Sequence, residues 1–185
     1  MEFNYEIKIP KDRIAVLIGK SGETKKELEQ VTSTNIEIDS KEGDILIHGE
    51  DALGLYSARE VIRAISRGFN PDYAKLLLKP DYSLEVLNIK EFSGDSVKKG
   101  LRLKGRVIGQ EGKARKTIEG LTDTYICIYG KTIAIIGDPR NVATTRKAIE
   151  SLLTGSPHSH IYKWLEKKRR EFKLQEFTPE HISEQ

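Results

Sequence analysis

The stretch "IGKSGETKKELE" at residues 18–29 recurs ninety residues later as "IGQEGKARKTIE", and this echo constrains the fold more than any other feature. Residues 17–38 lie over residues 107–128 without a gap. Nine of these twenty-two positions are identical: Ile18/Ile108, Gly19/Gly109, Gly22/Gly112, Lys26/Lys116, Glu29/Glu119, Thr32/Thr122, Thr34/Thr124, Ile36/Ile126 and Ile38/Ile128. Chance would supply about one or two, so the chain is built from two copies of one unit.

The periodicity of each copy predicts its elements. "YEIKIP" alternates apolar and polar residues and reads as a strand. "KDRIAVLIG" is a short helix stopping at Gly19, and "GETKKELEQVTS" is a second helix. "NIEID" and "DILIHG" are strands joined by a turn, and "DALGLYSAREVIRAISRG" is an amphipathic helix expected to bury Leu55, Ala58, Ile62 and Ile65. In the second copy "SLEVLNIKEF" reads as the strand, "GLRLKGRVIG" as the short helix and "GKARKTIEGLTD" as the next. "YICIYGKTIAIIG" is a hairpin, and the closing helix carries Pro139 in its first turn. The order strand-helix-helix-strand-strand-helix predicts an α+β fold. Each unit is a three-stranded antiparallel sheet with helices on one face, spanning residues 1–67 and 84–155. Residues 68–83 form a linker with a short helix, and residues 156–185 a basic C-terminal helix and tail, with Trp164 as its anchor.

Of 185 residues, 32% are charged and the net charge is only +3, so distribution matters more than balance. Lys98, Lys99, Arg102, Lys104, Arg106, Lys113, Arg115 and Lys116 face a single acid, Glu111, within one short stretch, and a second basic run spans residues 163–173. Such a local surplus is the electrostatic footprint of nucleic-acid binding. A single cysteine excludes an intramolecular disulfide framework. No apolar run approaches the ~18 residues of a membrane span and no signal pattern opens the chain, which points to a cytoplasmic protein with no membrane partner.

The glycine loops admit two chemistries. A nucleotide-binding P-loop needs GxxxxGK[ST] after a strand. Gly19-Lys20-Ser21 supplies the end of that motif, but its first glycine would fall at Ile14, a helix precedes it, and the second copy has Gln110-Glu111 instead. A GxxG turn between two helices instead lets backbone N–H groups and helix N-terminal dipoles face an extended strand, with no Cβ to obstruct the sugar-phosphate chain. That chemistry selects Gly19, Lys20, Ser21, Gly22, Lys25 and Lys26 in the first copy. In the second it selects Arg102, Lys104, Arg106, Ile108, Gly109, Gln110, Glu111, Gly112, Lys113, Arg115 and Lys116.

"RIAVLIGKSGETKKELEQVTSTNIEI" and "GRVIGQEGKARKTIEGLTDTYICI" follow the xxIIGxxGxxxxxIExxTxxxI pattern, and both units resemble type I KH domains. With "RLKGRVIG" and "GSPHSHIY", the resemblance extends to the archaeal two-KH ribosome-assembly family, whose eukaryotic relatives are the partner-of-Nob (Dim) and Krr proteins, and covers residues 5–173. It implies binding of single-stranded RNA at the 3′ region of small-subunit (16S-type) ribosomal RNA. It also implies no enzymatic activity, no cofactor, and a Nob-type endonuclease or a translation initiation factor as protein partner. A general KH factor of RNA turnover or translation is the alternative, and a phosphate-binding enzyme a distant one. The family points to the second loop, although Glu111 places a carboxylate where phosphate would approach; Arg102, Lys104 and Arg106 are expected to offset it. Eukaryotic members lack the first loop, which this chain keeps.

Three further features leave their roles open. His158 and His160 lack the neighbours of a zinc site, so no metal is expected. Cys127 reads as a core or groove thiol. Tyr125 and Tyr129 flank a strand at the groove edge, suited either to stacking on bases or to packing.

Overall fold

The computed structural model describes residues 3–177, with side chains through residue 175; the sequence beyond residue 177, including the end of the expected C-terminal tail, lies outside the described residues. The first unit runs β1 (Phe3–Lys8), α1 (Lys11–Ile18), α2 (Glu23–Thr32), β2 (Thr34–Asp39), β3 (Asp44–Gly49) and α3 (Ala52–Ser66). A segment with α4 (Pro71–Ala74) and a 3-10 turn follows. The second unit runs β4 (Ser83–Asn88), α5 (Lys90–Ser93), α6 (Val97–Ile108), α7 (Lys113–Thr122), β5 (Tyr125–Tyr129), β6 (Thr132–Gly137) and α8 (Pro139–Leu153), and α9 (His158–Phe177) ends the described chain.

Both sheets are antiparallel with the third strand central, in the orders β1-β3-β2 and β4-β6-β5. The architecture is therefore the two-unit α+β fold with a C-terminal helix that the repeat implied. Alternation does the local work: Ile36, Ile45 and Ile47 point to the helices of the first unit, and Ile126, Ile133 and Ile135 to those of the second. Ala58, Ile62 and Ile65 are fully buried, whereas Leu55 packs only partly against the same core. On α9 the buried anchors are Ile161 and Leu165, with Trp164 half-buried beside them.

Two expectations are corrected. "SLEVLNIKEF" is a strand only to Asn88; Lys90–Ser93 forms a helical turn, its start held by the Asn88 Oδ1 accepting from Lys90 N at 3.0 Å. The helix before the second loop is twelve residues rather than a short element, because Ser96 caps it five residues before "LRLK" by accepting from Lys99 N at 3.2 Å.

The sheets also differ in what covers their second face. Positions that pair alike in the two sheets are Glu6 and Val86, Leu46 and Ala134, His48 and Ile136, Glu37 and Cys127. In the first unit this face is largely polar. In the second it is apolar and joins the first unit's core, where Ala134 and Ile136 are fully buried with Phe69, Ala74 and Leu77. The second sheet is thus covered on both faces. Gly68, at φ +98°, lets the connecting chain pass over β5: a Cβ there would sit 2.7 Å from Tyr129 Cβ and 2.9 Å from Cys127 Sγ.

Candidate nucleic-acid interface

The two glycine loops adopt one conformation. Gly19 and Gly109 have φ/ψ of 73°/178° and 71°/175°, Ser21 and Glu111 have 54°/25° and 53°/28°, and Gly22 and Gly112 have 79°/11° and 77°/10°. The glycines of each pair do different things. A Cβ on Gly109 would lie 2.6 Å from both Cβ and N of Ala114, and one on Gly19 would lie 2.8 Å from Thr24 Cβ, so the first glycine allows the helices to meet. A Cβ on Gly22 or Gly112 would meet only the tip of Lys26 or Lys116, at 3.8 and 4.0 Å. The second glycine therefore faces open space, where a backbone can approach.

Helices α2 and α7 start immediately after the loops with no side-chain cap, while α3, α6 and α8 are capped by Asp51, Ser96 and Asp138. An uncapped N-terminus presents orphan N–H groups and the positive end of the helix dipole, a ready site for an anion. Lys20, Lys26, Lys113 and Lys116 are exposed around these starts. Gln110, Glu111, Lys113, Lys116 and Thr117 line an open depression beside the second loop.

Glu111 is less of an obstacle than its charge suggests. From Lys20 to Lys26 the first loop region carries Lys20, Glu23, Lys25 and Lys26; from Gln110 to Lys116 the second carries Glu111, Lys113, Arg115 and Lys116. Each has three cations and one acid, with the acid moved from the helix start into the loop. What distinguishes the second site is the preceding helix, where Arg102 is exposed, Lys104 half-buried and Ile108 37% exposed next to the loop.

Several of the repeated identities serve the fold. Glu29 Oε1 and Glu119 Oε1 accept from Ile36 N and Ile126 N, both at 2.7 Å, tying α2 to β2 and α7 to β5. The Thr32–Thr34 and Thr122–Thr124 hydroxyl pairs lie 2.8 Å apart, and Thr124 also meets Thr145 at 3.0 Å. Lys25 and Arg115 are half-buried beside these glutamates, at 3.0 Å from Glu29 and 3.7 Å from Glu119.

Arg106 is occupied away from the loop. Its Nε donates to Leu152 O at 3.0 Å and its Nη2 to Ser156 O at 2.6 Å, at the end of α8. Arg13 does the same in the first unit, to Ile65 O at 2.8 Å and Phe69 O at 2.7 Å. A guanidinium fork suits the orphan carbonyls and negative dipole of a helix end. The ninety-residue alignment hides this correspondence, because Arg13 lies six residues before Gly19 and Arg106 only three before Gly109. His158 completes the cluster, with Nε2 2.7 Å from Arg106 O. Arg106→Ala is expected to cost ~2–3 kcal/mol of stability, as for hydrogen bonds to a charged group. Arg106→Lys should recover only part of it, and RNA affinity of either folded variant should change less than about twofold. Chemical unfolding beside an RNA titration tests this; a large affinity loss with stability intact would return Arg106 to the RNA-facing set.

Of the tyrosines of β5, Tyr129 binds the first unit and Tyr125 the connecting segment. Tyr129 O–H donates to Asp12, which with burial raises its pKa, and the Arg13 guanidinium sits 5.7 Å over its ring. Tyr125, 37% exposed, packs its ring against that of Tyr73 at a tilt of 46°, with centroids 4.8 Å apart. Burial pushes the Cys127 thiol pKa up, against the opposing guanidinium groups of Arg13 and Arg115. Among the described residues no cluster of three or more His, Cys, Asp or Glu side chains is placed to hold a metal, and no helix is long and apolar enough to cross a membrane.

Known proteins share this arrangement. Residues 83–170 match the family model described as the eukaryotic type KH-domain (KH-domain type I), and residues 4–64 that of the KH domain. A KH domain-containing protein of Methanocaldococcus jannaschii is 44% identical over 177 residues, covering 92% of this chain and 76% of that protein. The RNA-binding protein PNO1 of Oryzias latipes is 34% identical over 117 residues; the match takes 61% of this chain and 47% of its own length. A crystal structure from Aeropyrum pernix superposes with a TM-score of 0.91 at 39% identity, over 95% of each chain. Dim2p of Pyrococcus horikoshii, solved in a complex with a/eIF2α and rRNA, superposes with a TM-score of 0.86 at 42% identity, over 92% of this chain and 96% of that one. The chain belongs to the tandem type I KH family of archaeal ribosome-assembly proteins, with Dim2p and PNO1 among its relatives.

Proposed function

We propose that this protein binds single-stranded ribosomal RNA during small-subunit maturation, at the 3′ region of the 16S-type RNA, with the second glycine loop as the principal clamp and the first as an auxiliary one. The observation that carries this reading is the pair of uncapped helix N-termini, each behind a glycine whose Cβ position is open. A strand's phosphates meet N–H donors and flanking lysines there, and its bases turn toward Ile108 and β5. KH loops clamp about four nucleotides in this way. The Pyrococcus relative's complex with rRNA and a/eIF2α, and the eukaryotic relatives' description as RNA-binding and pre-rRNA-processing proteins, support the choice of RNA. A translation initiation factor or a Nob-type endonuclease would be the protein partner. Binding, with no chemical step, is the activity.

Binding to the 3′-terminal segment of small-subunit rRNA should weaken with salt, log K falling by about 0.7 per phosphate neutralised for each decade of salt. Gln110→Asp should weaken it by at least about tenfold, and the double replacement Lys20→Asp and Ser21→Asp by less. RNA binding that survives both changes would sink the assignment of the loops. ATP binding that depends on Lys20 would favour a phosphate-binding enzyme instead. Crosslinking to total cellular RNA separates ribosomal from general targets.

A further inference from the structure

The second unit has an insertion that the first lacks. Strand β1 passes to α1 through residues 9–10, whereas β4 passes to α6 through residues 89–96, including α5. The equivalent first steps remain alike: Ile9 N donates to Gly43 O at 2.9 Å and Ile89 N to Lys131 O at 2.8 Å. The extra residues therefore form a wall added to the shared unit. Between that wall, the start of α6 and Lys131 lies a largely apolar cavity of about 200 Å³. Val97 and Leu101 on its rim are 77% and 63% exposed, while Gly100 leaves its floor bare.

Val97, Leu101, Lys104 and Ile108 are spaced to share one face of α6. Ile108 adjoins the loop, and Leu101 is about 10 Å from it along the helix. The surroundings are cationic: Lys104 and Lys131 line the cavity, Lys98, Lys99 and Arg102 stand on the same helix, and Asp95 is held by Lys90 at 2.8 Å. An apolar slot ringed by cations fits a polyanion that carries flat apolar rings. A volume of about 200 Å³ displaces only several waters of about 30 Å³ each. It lies below the ~300 Å³ of a drug-sized pocket, which matches one heteroaromatic base and no more.

We infer that the insertion cavity of the second unit receives a nucleobase of the same RNA strand, beyond the nucleotides clamped at Gly109–Gly112, stacked on Leu101 and Val97 with its phosphate near Lys104. This rests on the RNA-binding reading above and adds a contact outside the segment shared by the two units.

Gly100 provides the test. Its Cβ position is 3.6 Å from Ser93 Oγ and 3.8 Å from Ser93 Cβ, ordinary contact distances, so a side chain there fits at its root and extends into the slot. Gly100→Leu fills the cavity; Gly100→Ala leaves most of it open. Two fluorescent RNAs from the 3′ end of small-subunit rRNA would be titrated: one of about four nucleotides, spanning only the clamp, and one longer by about four on each side. Wild type should bind the longer RNA more tightly. Gly100→Leu and Leu101→Asp should each remove that gain, a loss of roughly 5- to 150-fold as for one stacked base. Gly100→Ala should retain it, and affinity for the short RNA should be unchanged in all three. Gln110→Asp should weaken both RNAs. With 4-thiouridine placed along the longer RNA, crosslinks should map to residues 89–101. If Gly100→Leu and Leu101→Asp, folded by circular dichroism, bind both RNAs as wild type does, the cavity is not an RNA site and is left to a protein side chain. If wild type binds neither RNA, the RNA-binding reading fails as well.

Discussion

Gly109→Ala is expected to destabilise the protein by ~3–5 kcal/mol, and Gly112→Ala, three residues away, by only ~1–2 kcal/mol. Both glycines have positive φ, so the sign of φ alone does not separate them. Gly109 combines φ 71° with ψ 175°, a region essentially closed to residues with a Cβ, while Gly112 occupies the left-handed helical region that Glu111 also tolerates. The added methyl group on Gly109 would lie 2.6 Å from Ala114 Cβ and N, so α7 must move; on Gly112 it meets only a lysine tip. At 2–4 °C per kcal/mol for a chain of this size, the first change should lower the thermal midpoint by about 6–20 °C and the second by about 2–8 °C. Calorimetry decides it. Equal losses would mean that the two glycines do not divide the work between fold and ligand approach.

The second large effect lies on the outer face of the second sheet. Ile136→Ala is expected to cost ~2–5 kcal/mol, as for a fully buried isoleucine in a packed core. His48→Ala, at the corresponding position of the first sheet, should change stability by less than ~0.5 kcal/mol. Ile136 and His48 hold the same register in their sheets, opposite Leu84 and Asn4. The difference comes from the partner: Ile136 packs into the first unit's core, and His48 does not. Urea unfolding measures both, and Ile136→Ala should leave one cooperative transition split or broadened, because the contact it weakens joins the two units. A small loss at Ile136 would mean that the units are held together elsewhere, through Tyr129 with Asp12 and Tyr73 with Tyr125.

The repeat made the order of the shared elements, the loops and the helix starts that follow them legible, since alternation, glycine at turns and helical spacing act within a few residues. Less legible was which repeated residues serve a ligand. Glu29/Glu119 and Thr32/Thr122 are as identical between copies as the glycines, yet the glutamates tie helices to strands and the threonines join the helix ends to Thr34 and Thr124 just beyond. Arg106 stood in a basic run and read as a phosphate contact, but its guanidinium closes the end of α8. Its counterpart Arg13 is displaced by one helical turn, so an ungapped comparison pairs Arg106 with Val16 and misses the shared role. The residues before α6 read as more strand because "NIKEF" continues the alternation of "SLEVL". Only the capping by Asn88 and Ser96 shows where the strand stops and the helix begins.

By itself the sequence determined that this chain is a duplicated strand-helix-helix-strand-strand-helix unit with two GxxG turns, because each of those choices depends on local periodicity and on backbone angles that glycine permits. The tertiary structure decided which of the loop's neighbours remain free for RNA and which sheet face is buried. Those outcomes depend on carbonyls, cations and apolar faces brought together from segments 46 or more residues apart, and no local pattern records such meetings.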